Sequence, residues 1–317
     1  MNSRIDIHAD FRSLKVRTQP TSRWTLGLMA RLLTAVNALH RRRFKTIVSV
    51  QEFAGTAGNV VPVLIVRPPD LTPASPALIY YHGGAFIFKH APQHLENAVK
   101  YSREANCCVI MVDYRLAPAH PFPAAFDDCY DTLRWALSHA DEVGIDRQRV
   151  AVGGDSAGGT LAAAVAQKAV HEDRIELCGQ LLIYPATDVD CQRPSTVTYA
   201  DFPPFKAASR GSVWQVYLGH PLSEGLPRYA SPIDGDLHGL SPAYVEIAQF
   251  DVLHDQGLAY AQALREQRVD VELNEIKGAV HGFDLLVARS SVSQAAMQSR
   301  INFLRRVFSP RVSDGSR

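Results

Sequence analysis

A chain of 317 residues with 46% hydrophobic and 21% charged side chains has the composition of a soluble globular protein and is long enough to bury a large core. Lys and Arg number 33 against 32 Asp and Glu, a formal net charge of +1, which gives no ground for a nucleic-acid partner. The 5 cysteines (Cys107, Cys108, Cys129, Cys178, Cys191) lack metal-ligand spacing, so we expect no metal, reduced and buried thiols, and a cytoplasmic location.

Charges scattered through residues 1–23, with Arg31 and Asn37 interrupting the apolar run from Trp24 to Leu39, argue against a signal peptide and against stable membrane insertion. Leu28, Met29, Leu32, Leu33, Val36 and Leu39 recur at helical spacing, so an amphipathic helix is predicted from Trp24 to His40. Its stripe is expected to pack on the domain or to roof a pocket, in preference to touching a membrane surface, because the polar face is not strongly basic. Runs at Ile47–Val50 and Val60–Val66, separated by a glycine-rich turn, predict an antiparallel pair at a sheet edge.

Strand and helix then alternate. Strands are predicted at Ala77–Tyr81, Cys107–Val112, Arg149–Val152, Gly179–Tyr184, Ala243–Ala248 and Val271–Ile276, with helices at about His94–Asn106, Ala124–Ala140 and Ala157–His171. Such alternation predicts an α/β fold: a mostly parallel central sheet flanked by helices on both faces. The adjacent Cys107 and Cys108 should point to opposite faces of their strand. Between Pro185 and about Leu240 the alternation stops, in a segment rich in proline and aromatics that directly follows a sheet strand. Ligands bind at that end of α/β sheets, so the segment is expected to be a lid.

The pentapeptide Gly154-Asp155-Ser156-Ala157-Gly158 joins a strand to a helix. A serine on so sharp a turn has its hydroxyl pushed clear of the backbone, and the two glycines sit where a side chain would collide with a neighbouring element. An activated serine needs a base, an orienting acid and donors for an oxyanion. His281, with glycines around it after the last strand, is the candidate base. Asp251, at the carboxyl end of the strand Ala243–Ala248, is the candidate acid, preferred over Asp255, which should cap or open the next helix. His82-Gly83-Gly84-Ala85-Phe86 lets the chain curl so that backbone N–H groups converge, which makes the N–H groups of Gly83, Gly84 and Ala157 the candidate oxyanion hole. His82 is expected to brace that loop and not to act as a second base.

Taken together, His82-Gly83-Gly84-Ala85-Phe86, Asp113-Tyr114-Arg115-Leu116-Ala117-Pro118, His120-Pro121-Phe122-Pro123-Ala124, the Ser156 motif, Asp251 and His281-Gly282-Phe283 resemble the hormone-sensitive-lipase-like family (bacterial family IV) of α/β-hydrolase carboxylesterases, in family order from about Ile47 to the end. The resemblance implies cap helices in 1–45, a catalytic core of 46–185 and 241–317, and a cap insertion at 186–240. It also implies no metal or cofactor, a small-molecule ester substrate of short to medium acyl length, and a homodimer through an edge strand such as Val271–Ile276. Ala85, Phe86, Phe202, Phe205, Trp214 and Tyr217 are the candidate pocket residues. Ala85 stands where the family has a third glycine, Ala119 and Gln256 where it commonly has Glu, and Val252 where it commonly has Pro. The competing readings are an acyltransferase using the same triad and a non-catalytic receptor on the same fold, as in the plant gibberellin receptors, which lack the histidine.

Overall fold

The computed structural model describes residues 6–15, 23–190, 192–203 and 210–310. Among them are strands β1 (Val48–Ala54), β2 (Val60–Val66), β3 (Ser75–Tyr81), β4 (Cys108–Val112), β5 (Ile145–Asp155), β6 (Gly179–Ile183), β7 (Ala243–Phe250) and β8 (Val271–Val280), joined in one sheet of order β1-β2-β4-β3-β5-β6-β7-β8. β1–β2 and β2–β4 pair antiparallel, and every pairing from β4 to β8 is parallel. Pro62 costs the β2–β4 ladder nothing: that ladder starts at Val63, and the Pro62 carbonyl accepts the Asp113 N–H at 3.0 Å.

The helices are α1 (Arg23–Arg41), α2 (Pro92–Glu104), α3 (Ala124–Ser138), α4 (Ala140–Val143), α5 (Ala157–His171), α6 (Pro194–Thr198), α7 (Arg210–Leu218), α8 (His254–Glu266), α9 (Phe283–Leu286) and α10 (Ser291–Phe308). The central strands are apolar on both sides because both sides are covered. Ile79, Ile110, Val152 and Leu182 pack with Phe126, Leu133, Leu161 and Leu264 of α3, α5 and α8. Their neighbours Leu78, Val109, Ala151 and Leu181 pack with Leu95, Ile301 and Leu304 of α2 and α10. Cys107 and Cys108 divide between these two cores, as the period of a strand requires. Between β6 and β7 the described residues form α6, α7 and short turns, and no strand.

Sheet order reverses beside β3, which has β4 on one side and β5 on the other. The loops that leave the carboxyl ends of β3 and β5 therefore sit next to each other, and they carry His82-Gly83-Gly84 and Ser156. A crevice at such a switch point is where α/β sheets place ligands.

The amphipathic helix forms as α1, but its stripe does not pack. Leu28, Leu32, Val36 and Leu39 are exposed, while Leu26, Ala30 and Leu33 face inward and Asn37 is the buried residue, donating to the His90 carbonyl at 2.7 Å. This corrects the expectation of a packed or roofing stripe: α1 has apolar residues on two faces, and the anchoring polar contacts select which one points inward. No helix among the described residues is long and apolar enough to cross a membrane.

Candidate active site

β5 ends at Asp155, and the chain turns through Ser156 at φ 53° into the first residue of α5. Positive φ costs a serine on the order of 1 kcal/mol, so the turn persists only because its surroundings dictate it. They do: the Ser156 N–H is tied to the Ile183 carbonyl at 2.9 Å, and a Cβ on Gly158 would lie 1.9 Å from the Tyr81 carbonyl oxygen. A Cβ on Gly154 would lie 2.4 Å from the carbonyls of both Tyr81 and Gly158, so α5 can approach β3 this closely only with glycine at both positions.

Three loops meet at the serine. Ser156 Oγ lies 3.0 Å from His281 Nε2, and His281 Nδ1 lies 2.6 Å from Asp251 Oδ2. β8 runs on to Val280, four residues beyond its expected end at Ile276, which places His281 on the first residue after the strand. Asp251 is buried, and its other oxygen accepts the Leu253 N–H at 2.8 Å, so the carboxylate is held from both sides. The rival Asp255 faces away: it lies in the first turn of α8 and accepts the Ser195 N–H at 2.8 Å, tying α6 to α8.

The loop after β3 departs from its expected role at one atom. Gly83 N–H donates to Asp155 Oδ1 at 2.9 Å, so that donor is already engaged and does not face a substrate. Among the described residues no acceptor takes the N–H groups of Gly84, Ala85 or Ala157. Ala85 and Phe86 follow Gly84 with φ 54° and 61°, so this loop is wound left-handed through two residues that resist it. Ala85 in place of a third glycine thus adds backbone strain.

What holds the loop is a set of buried side chains, of which the sequence assigns a role only to His82, as the brace. Asp155 accepts from Tyr80 Oη at 2.8 Å, from Gly83 N–H and from His94 Nε2 at 3.2 Å. Burial works against charge on both partners, yet their attraction prevails: His94 titrates above its ordinary value, and the Asp155 carboxyl is drawn down to about 2 by His94, Tyr80 and Gly83. On the other side His82 stacks on Tyr114 with ring centroids 4.3 Å apart, and Tyr114 Oη donates to the His82 carbonyl at 2.7 Å. Burial, with His90 and His94 alongside, pushes His82 down to about 3, so it is neutral and suited to bracing. Arg115 clamps Asp128 at 2.8 Å and Lys89 pairs with Asp113 at 2.8 Å, which fixes the segment under the loop.

The candidate pocket aromatics divide. Phe86 stacks on Tyr217 at 3.7 Å with Trp214 at 5.8 Å, and all three are buried; they form a packed post joining α7 to the loop after β3 and not an open lining. Phe202 packs on Tyr199 and Phe250, next to Asp251, and Phe205 lies outside the described residues. The Tyr184 and His281 rings meet edge to face with centroids 4.9 Å apart, and Tyr184 Oη donates to Asp284 at 2.6 Å, contacts of which sequence spacing gives no signal. Asp284 in turn accepts from the fully buried Arg300 at 2.6 Å, and Arg300 also binds Glu246 through Nε at 3.0 Å. A cleft of 1210 Å³ lined in part by Phe53, Trp135, Arg147, Arg149 and Leu177 lies at the opposite, amino-terminal ends of β5 and β6, away from Ser156.

A serine hydroxyl aimed at an imidazole, an imidazole held by a buried carboxylate, and backbone donors beside the serine are together equipped for acyl transfer. Comparison with known proteins agrees with that chemistry. A family model described as alpha/beta hydrolase fold matches residues 78–285. The ethyl acetate hydrolase of Pseudomonas putida is 38% identical over 229 residues, covering 71% of this chain and 72% of that protein. Carboxylesterase NlhH of Mycobacterium tuberculosis is 38% identical over 226 residues, covering 70% of this chain and 71% of that protein. Among solved structures, esterase LipW from Mycobacterium marinum superposes with a TM-score of 0.87 at 28% identity over 96% of this chain and 97% of that one.

Proposed function

The chain belongs to the α/β-hydrolase-fold family, in its hormone-sensitive-lipase-like branch, and from that premise we propose that it is a serine carboxylesterase acting on short- to medium-chain carboxylic esters through an acyl-enzyme. The observation that carries the proposal is the continuous relay Asp251–His281–Ser156, at 2.6 and 3.0 Å.

In this reading His281 Nε2 takes the Ser156 proton as Oγ attacks the ester carbonyl carbon. Asp251, already bonded to Nδ1–H, keeps the tautomer that leaves Nε2 free to accept and favours the imidazolium that forms. The developing oxyanion is met by the N–H groups of Ala157, at the amino end of α5, and Gly84, with Ala85 next along the loop; Gly83 contributes by locking the loop to Asp155. The imidazolium then protonates the leaving alcohol. In the second half-reaction His281 deprotonates water, which attacks the acyl carbonyl and returns the serine.

Residues 186–240, with the helices before β1, are read as the cap over this site. Support comes from the Phe86–Trp214–Tyr217 post, which fastens α7 beside the catalytic loops. A homodimer through β8 is retained in the proposal, because β8 pairs only with β7 among the described strands.

The test is steady-state hydrolysis of p-nitrophenyl esters from acetyl to palmitoyl. We expect turnover to be highest for acetyl to hexanoyl and to fall by at least about tenfold for the longest chains, as one or two methylenes beyond the pocket forfeit their binding energy. Folded protein that turns over none of the series would redirect the account to a receptor role. Release of alkyl ester at the expense of acid when a second alcohol is added would redirect it to acyl transfer.

A further inference from the structure

We propose that α1 is a peripheral docking helix that lays its outer face on an anionic phospholipid bilayer. Two independent observations meet there, one apolar and one electrostatic.

The apolar observation is the stripe itself. Trp24 is 76% exposed, Leu28 56%, Leu32 62%, Val36 40% and Leu39 65%, at spacings of four, four, four and three residues that align them along one side of the helix. These are five of the chain's large apolar side chains left in water on a single element, a feature that soluble surfaces rarely carry without a use. The helix cannot roll to hide them. Its inner face is pinned by Asn37 on the His90 carbonyl at 2.7 Å and by His40 against Glu96 at 3.2 Å.

The electrostatic observation comes from the surrounding sequence. Residues 11–51 contain Arg12, Lys15, Arg17, Arg23, Arg31, Arg41, Arg42, Arg43 and Lys45 and not one Asp or Glu. Elsewhere the chain has 24 Lys and Arg against 32 Asp and Glu, so a near-neutral protein has its positive charge gathered at this end. Arg31, Arg42, Arg43 and Lys45 are exposed, flanking the stripe; the acid that faces α1 from α2, Glu96, is engaged by His40.

Charge decides which occupant fits. A second copy placed stripe to stripe would bring two cationic segments together, whereas an anionic bilayer matches the apolar and the basic residues at once. A tryptophan at one end of the stripe suits the headgroup level, and α1, about 28 Å long at 1.5 Å per residue, would lie in the interface plane and not span it. Through Asn37 and His90 the helix rests on the segment that follows the oxyanion loop, so docking would set the site beside the lipid surface, where apolar esters concentrate.

The experiment is co-sedimentation of the full chain with sucrose-loaded vesicles of phosphatidylcholine containing a quarter phosphatidylglycerol, compared with pure phosphatidylcholine. A variant carrying Leu28→Glu and Leu32→Glu is run in parallel; both positions are exposed, so its thermal unfolding should match the wild type. Binding to the anionic vesicles is expected to weaken by at least about tenfold in the variant, in pure phosphatidylcholine, and at high salt. The proposal is overturned if the wild type stays in the supernatant with anionic vesicles, or if the variant sediments equally. It is likewise overturned if light scattering shows a wild-type dimer that the two substitutions dissolve while vesicles capture neither protein, since a second copy would then cover the stripe. The readout is binding and not turnover, so it stands or falls apart from the esterase reading.

Discussion

Ser156→Ala is expected to lower kcat for p-nitrophenyl acetate by on the order of 10⁵-fold while the protein stays folded. The substitution removes only Oγ, the atom 3.0 Å from His281 Nε2, and leaves the His281–Asp251 bond and the donors beside the site in place. Alanine meets the same backbone penalty at φ 53° as serine does, so the turn between β5 and α5 should keep its shape. The residual rate should be that of substrate bound beside backbone donors without a nucleophile. Thermal unfolding and kcat measured on one preparation separate a chemical loss from a structural one. A variant within tenfold of wild type would mean that Ser156 is not the nucleophile.

The largest expected stability change lies beneath the site. Arg300→Ala should destabilise the fold by about 3–5 kcal/mol, measured by urea unfolding at neutral pH. Arg300 is fully buried and faces two buried carboxylates, Glu246 and Asp284. Burial opposes its charge, but the two acids hold it firmly protonated, well above its ordinary range. Removing it strands both acids in a medium where neither is easily ionised. Activity should fall as well. Asp284 also anchors Tyr184 Oη at 2.6 Å, and the Tyr184 ring is the wall against which His281 rests. A loss below about 1 kcal/mol would show that water replaces the guanidinium at little cost, and would remove this network from the account.

The sheet was legible from sequence because each central strand is a short apolar run bounded by turn residues, and the serine turn was legible because its glycines answer a steric demand that can be stated without coordinates. The helix α10 is not legible in the sequence, since its inward face contains Arg300: the series Ser293, Ala296, Met297, Arg300, Ile301, Leu304 is a core stripe only if an arginine counts as core. The α1 stripe is legible as helical, but its environment is not. Periodicity shows that one side is apolar but does not show what lies against it, and here Asn37 and His40 decide the orientation. Gly83 shows a similar limit. Its position in the loop is visible in the motif, but the engagement of its N–H by Asp155 depends on β3 and β5 being neighbours, a property of sheet order and not of local sequence. The same holds for Phe86, Trp214 and Tyr217, whose composition suits a pocket and whose packing closes on itself.

The central claim is that Ser156, activated by His281, forms a covalent intermediate, and it is tested most directly by titrating the protein with diethyl p-nitrophenyl phosphate and locating the adduct by peptide mass spectrometry. Transfer of the diethylphosphoryl group to a serine oxygen, with release of p-nitrophenolate, leaves a phosphoester that the site cannot readily hydrolyse. The account predicts one equivalent bound, entirely on Ser156, with esterase activity lost in proportion and no labelling of Ser156→Ala. Full ester hydrolysis by protein that takes up no label, or a label on any residue other than Ser156, would contradict it.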